Sequence, residues 1–200
     1  MENNRRGAPS KRPPRADARE NHTRILAAAH ARFAADGLAA EMDAIARDAG
    51  VAVGTLYHHF GTKDALLEAV VVAGLAELTV YIQTLLTEAD PWTGVERLLH
   101  FLAERQLNDR AFTELIGAQP TLRATTTATK RALGPFIQQL LDRAQTAGQL
   151  RPDVVASDIP LLLAGLSAHA VAPAVLHRYL DIILCGLRVG GISANVYSAE

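Results

Sequence analysis

The stretch Asp43 to Lys63, DAIARDAGVAVGTLYHHFGTK, constrains this chain more than any other. Ala44, Ile45 and Ala46 begin an apolar helical face, Ala49-Gly50-Val51 interrupts it, and a second periodic run sets Leu56 and Phe60 four residues apart on one side. The spacing predicts a helix, a tight turn and a second helix. Gly50 falls where the chain must reverse and where a left-handed backbone excludes most side chains. The second helix then presents a free face of Val53, Thr55, Tyr57, His58 and His59. These small, hydroxyl-bearing and imidazole groups can meet phosphate oxygens and base edges.

The full residue string is more specific than the spacing. Ile45-Ala46, Ala49-Gly50-Val51, Gly54-Thr55-Leu56-Tyr57, His59-Phe60 and Lys63 with Leu66 behind it resemble the N-terminal domain of the TetR family of transcriptional regulators. The resemblance extends back through Arg24-Ile25-Leu26, Ala28-Ala29, Phe33 and Gly37, and spans roughly residues 20 to 68. It implies that Thr55, Tyr57 and Lys63 contact the DNA backbone and that Val53, Gly54 and His58 lie near the bases. His59 would support the helix and a phosphate. It further implies a repressor that binds a pseudo-palindromic double-stranded operator as a homodimer and is released by a small-molecule inducer. Two positions depart from the family pattern: Glu41 stands where Thr usually opens the second helix, and Ala52 where Ser often opens the recognition helix. Losing a hydroxyl cap costs about 0.5 to 2 kcal/mol, and a carboxylate near phosphates adds repulsion.

Composition excludes several other classes. At 200 residues and 49% hydrophobic, with strand-like alternation nearly absent, the chain is expected to be all-α with a sizeable core. Residues 1–66 hold 10 Lys/Arg against 8 Asp/Glu, whereas 67–200 hold 10 against 13, so the two parts differ in electrostatic character. Residues 1–20 have no apolar secretory segment, and the single Cys185 suits a reducing compartment, so a cytoplasmic protein is expected. Cys185 itself reads as a buried, small apolar residue. The longest uncharged run, 159–176, contains Pro160, Gly165, Ser167, His169 and Pro173, which favours a buried interface helix over a membrane span. Adjacent His58 and His59 point about 100° apart on a helix, with no partnering ligand spacing nearby, so no metal or cofactor is expected there. No Gly-rich phosphate loop, nucleophile elbow or paired-carboxylate signature appears, which argues against an enzyme.

The organisation follows. Residues 1–18 carry Arg5, Arg6, Lys11, Arg12 and Arg15 among Pro, Gly and Asn and are expected to form a disordered basic tail able to follow a phosphate backbone. Residues 19–66 form the DNA-binding domain, with its motif at about 41–60, and 67–200 a ligand-binding and dimerisation domain. Helices are expected over about 19–36, 42–48, 53–59, 63–88, 92–107, 111–117, 122–147, 153–170 and 173–189, with Pro135 kinking or dividing its own. Thr62 is the expected cap of the long helix that joins the domains. The last two helices are apolar on more than one face, and Leu162, Leu166, Leu176, Leu180, Ile183 and Leu187 are assigned to a four-helix homodimer interface. An inducer cavity is assigned to His100, Phe101, Gln119, Phe136, Gln139 and His169, a few polar groups converging among apolar ones. Farther along, Arg143-Ala144-Gln145, Gly148 and Leu150-Arg151-Pro152-Asp153 are similar to a pattern in one branch of small-molecule-responsive or orphan repressors.

Overall fold

The computed structural model describes residues 14–109, 124–167 and 172–190. Among them are eight α-helices: α1 (Pro14–Asp36), α2 (Met42–Asp48), α3 (Val53–Phe60), α4 (Lys63–Leu85), α5 (Pro91–Asn108), α6 (Ala124–Thr146), α7 (Asp158–Ser167) and α8 (Pro173–Leu187). The chain is all-α, with the three-helix N-terminal unit and helical C-terminal domain anticipated from its periodicity. The basic residues of 1–13, the helix expected at 111–117, Gln119 and His169 lie outside the described residues.

Two apolar cores organise these helices. The first gathers Ile25, Ala29 and Phe33 of α1, Met42, Ile45 and Ala46 of α2, Leu56 of α3, and Leu66 and Val70 from the start of α4. The second gathers Leu75, Leu78, Ile82 and Leu85 of α4 with Trp92, Val95 and Leu98 of α5, Leu140 and Leu141 of α6, and inward residues of α7 and α8. One helix therefore enters both cores. Its length and apolarity would also suit a membrane span, but seven of its residues are buried inside the protein, as in a core helix. Thr62 caps it by accepting a hydrogen bond from Ala65 N at 3.1 Å.

Between α1 and α2, the Arg32 guanidinium donates to both carboxylate oxygens of Asp48, at 2.5 and 3.2 Å. That hydrogen bonding holds the Asp48 carboxyl below its usual pKa of 3.8. A depressed carboxyl stabilises the fold above its ordinary titration range and loses that contribution as pH falls through the lowered value. Asp48→Asn is expected to lower the melting temperature by a constant amount above pH ~5, with the gap closing below pH ~4. Thermal melts at stepped pH check this, and a gap that persists to pH 2 would dismiss the pair as the cause.

The C-terminal motif residues prove to be fasteners. Arg143 donates to the carbonyls of Leu86 and Glu88, acceptors just beyond the end of α4. Gln145 Nε2 donates to the carbonyls of Arg151 and Val154, both at 2.9 Å. Gln149 bonds Asp90 through its amide nitrogen and accepts from Trp92 N, fixing the start of α5. Gly148, at φ +68°, ends α6 with Gln149 N donating back to Ala144 O. Gly94 is a close-approach residue: a Cβ there would stand 2.9 Å from Leu140 Cδ1 and 3.1 Å from Leu85 O.

Several expectations require correction. Helix α1 begins at Pro14 rather than Arg19, so residues 14–18 are helical and not part of a disordered tail; Pro suits a first helical turn. Helix α7 begins at Asp158 rather than Asp153. The Arg151–Asp153 ion pair, and the Asp158 carboxylate accepting from Val155 N, instead shape the preceding segment into turns. Pro135 lies within the one helix α6, so the helix is not divided there. Cys185 is exposed. Leu176, Leu180 and Leu187 are 2%, 1% and 8% exposed within the chain's own core and so are not available to a partner. Leu162 and Ile183 pack half-buried against the same core, and the Leu166 side chain lies outside the described residues. Among the described side chains of α7 and α8, the large exposed hydrophobic ones are Leu161, Tyr179 and Ile182. Tyr179 and Ile182 flank the inward stripe of α8, and periodicity alone does not say where such an apolar stripe stops facing inward.

Candidate nucleic-acid interface

Helix α3 is placed by its turns. Gly50 at φ +64° ends α2, with Val51 N donating back to Ala46 O at 3.0 Å, and Gly61 at φ +72° ends α3. Between them Leu56 is fully buried, while Val53 and Phe60 are half-buried against the same core. The opposite face carries Gly54, Tyr57 and His58, all exposed, with Tyr57 46% accessible and open space where a Gly54 side chain would be. Thr55 and His59 flank that face half-buried. Gly54 lets a nucleic-acid backbone or base edge come close to the helix axis, and the Tyr57 hydroxyl and His58 imidazole can donate to phosphate or to base acceptors.

The start of each motif helix is plain. Glu41 and Ala52 both occupy cap positions with extended backbone, and neither side chain makes a capping bond. Helices α2 and α3 therefore begin without the hydroxyl cap that Thr62 supplies to α4.

Lys63, expected on a phosphate, is half-buried and donates from Nζ to the Leu38 carbonyl at 2.7 Å. The contact ties α4 to the 3-10 turn Gly37–Ala39. His22 was not singled out by sequence reasoning. Its ring stacks on Phe60 at 5.0 Å and meets His59 edge-on at 6.2 Å, bracing α3 against α1. His58 and His59 are 6.1 Å apart between centroids at 74°, the divergence expected of adjacent helical residues. No cluster of metal-ligating side chains occurs among the described residues.

The expected inducer-lining set is only partly brought together. His100 and Phe101 share an open groove of about 380 Å³ with Tyr81, whose ring lies 4.5 Å from that of Phe101; Arg97, Glu96 and Glu104 complete it. Phe136 packs against the C-terminal core and does not line the groove, and Gln139 points to solvent. Both follow from α6 turning Leu133, Ile137, Leu140 and Leu141 inward, which leaves position 139 on the outer face.

Comparison with known proteins agrees with this architecture. Residues 25–70 match the family model described as bacterial regulatory proteins, tetR family, and residues 90–189 match that of the C-terminal domain of SbtR-like transcriptional regulators. The chain is 27% identical over 167 residues to the HTH-type transcriptional regulator UidR of Escherichia coli K12, covering 78% of this chain and 82% of that protein. A TetR transcription regulatory protein from Mycobacterium vanbaalenii is 34% identical, with TM-score 0.69 over 88% of this chain and 100% of that one. The TetR transcriptional regulator SCO0520 from Streptomyces coelicolor is 32% identical, with TM-score 0.63 over 83% and 97%. A helix-turn-helix that exposes Gly54, Tyr57 and His58, joined by one long helix to an SbtR-like C-terminal domain, makes this chain a member of the TetR family of DNA-binding transcriptional regulators and not an enzyme.

Proposed function

We propose that this protein is a cytoplasmic repressor that binds a pseudo-palindromic operator as a homodimer and leaves it when a small molecule binds the C-terminal domain. The observation that carries the DNA half of this reading is the exposed Gly54–Tyr57–His58 face opposite fully buried Leu56. Exposed Leu161 and Ile182, 72% and 59% accessible on adjoining helices, support self-association, because a monomer leaves them in water. Thr55 and Tyr57 serve the phosphates, Val53, Gly54 and His58 the base edges, and His59 the support of α3. On DNA, Lys63 exchanges the Leu38 carbonyl for a phosphate.

The test is retention of duplex DNA from the gene's own upstream region, with and without cell extract as a source of inducer, across a salt series. Specific retention weakened by salt and released by extract is expected; no retention of any duplex would end the proposal. Lys63→Ala is expected to reduce the logarithmic salt slope by roughly one. An unchanged slope would leave Lys63 as a tie to Leu38 alone. For the inducer, α4 supplies Tyr81 to the groove while its first turns lie in the DNA-binding core, so a ligand favouring a tilted α4 shifts the reading helices. Coupling of about 1 to 3 kcal/mol would weaken operator binding roughly 5- to 150-fold, and operator must weaken inducer binding equally. Calorimetry of a candidate inducer with and without operator checks the reciprocity, and equal affinities would exclude this lever for that compound.

A further inference from the structure

The DNA-binding unit and the C-terminal domain meet at a cleft of about 290 Å³ walled by α1, α4 and α5, with His30, Glu77, Glu104, Arg105 and Asp109 as its ionisable lining. Asp109, at the end of α5, is the centre of the polar contacts there. One of its carboxylate oxygens stands 3.8 Å from Arg105 Nε and 3.9 Å from Nε2 of His30, which belongs to α1. The Arg105 and Asp109 side chains are 17% and 12% exposed. The Arg105–Asp109 pair, so shielded, is screened less by salt than one on the open surface, whereas the His30 side chain is 50% exposed.

What seats Arg105 is a glycine. Gly74 is buried in the middle of α4, where glycine is a weaker helix former than alanine and no left-handed turn requires it. A Cβ there would stand 2.4 Å from Arg105 Nη2, so the missing side chain is the space the guanidinium occupies. The position along α4 matters as well. Val70 belongs to the DNA-binding core and Leu75 to the C-terminal core, so Gly74 lies at the handover between the two.

We propose that Gly74, Arg105 and Asp109, with His30 as the contact on the DNA-binding side, form the joint that fixes the angle between the two domains. In a dimer this joint sets the distance between the two reading helices and hence the half-site spacing that the protein accepts. Arg105 is on this view a positioning residue that never touches DNA. The inference rests on the homodimeric operator reading above, because only two heads held at a set distance measure spacing.

The experiment uses the full chain and a set of duplexes: one operator half-site alone, the full operator, and operators with the spacer shortened or lengthened by one and two base pairs. Gly74→Ala evicts the guanidinium through the flexible end of a side chain and adds a better helix former, so the fold is retained. Asp109→Asn removes the shared carboxylate charge by a separate route. Both variants are expected to keep half-site affinity within about twofold, to lose about tenfold on the full operator, and to discriminate less between the native and altered spacers. A parent protein with no preference for two half-sites over one would overturn the dimeric reading and this inference with it. A parent that does prefer the native spacer, with both variants retaining the same preference, would overturn this inference alone.

Discussion

Ile182→Glu is expected to leave the helical content and melting temperature of the protein nearly unchanged while converting it to a monomer that binds its operator about 10²- to 10⁴-fold more weakly, the range by which linked binding exceeds independent binding. Ile182 is 59% exposed and lies on the outward face of α8 with Tyr179, so a carboxylate there is solvated in the isolated chain and disturbs no internal packing. In a dimer that covers this face, two such carboxylates approach each other in an apolar contact, and desolvating them costs several kcal/mol each. Leu180→Glu, two residues earlier on the opposite side of the helix and 1% exposed in the chain's own core, is the control and is expected to unfold the C-terminal domain outright. Sedimentation velocity, circular dichroism and duplex retention read the three quantities separately. A monomeric Ile182→Glu with full operator affinity would show that association through this face is not needed for binding.

The contrast between Leu180 and Ile182 also marks how far the sequence alone could be read. The helix-turn-helix was legible because its determinants are local: Gly50 needs positive φ, Leu56 and Phe60 share one side of a short helix, and Thr62 stands before Lys63-Asp64 and an apolar run from Ala65. Partner choice between distant segments was not. Nothing near Lys63 in sequence announces the Leu38 carbonyl 25 residues earlier, and nothing near His22 announces Phe60. In helix α8 the exposed apolar residues Tyr179 and Ile182 flank the inward stripe, so the limits of that stripe, Leu176, Leu180, Leu184 and Leu187, are set by packing against α5, while His177, Arg178 and Asp181 stay in solvent. The motif around Arg143, Gln145 and Gly148 was visible as a pattern, but its reason became clear only when those side chains were seen to hold carbonyls near the ends of other segments.

Leu56→Ala is expected to remove DNA binding while leaving the C-terminal core standing. Leu56 is the one fully buried side chain on α3, an eight-residue helix too short to persist without packing. Truncating a buried leucine to alanine costs about 2 to 5 kcal/mol. A penalty of about 3 kcal/mol that must be overcome when α3 is ordered on DNA corresponds to roughly 150-fold weaker binding. The single tryptophan gives a clean way to localise the damage. Trp92 is 4% exposed in the C-terminal core, with the Arg188 guanidinium 4.8 Å above its ring, so its fluorescence follows that core and not the DNA-binding one. In the parent, fluorescence and circular dichroism are expected to report one urea transition. In Leu56→Ala the fluorescence transition is expected to stay in place while part of the helical signal melts earlier, because the cavity lies in the core that α4 enters through Leu66 and Val70, with Leu67 packed against it. If instead the Trp92 transition falls by the same amount as the helical one, α4 binds the two cores into a single cooperative unit, and the DNA-binding unit cannot loosen without the domain that controls it.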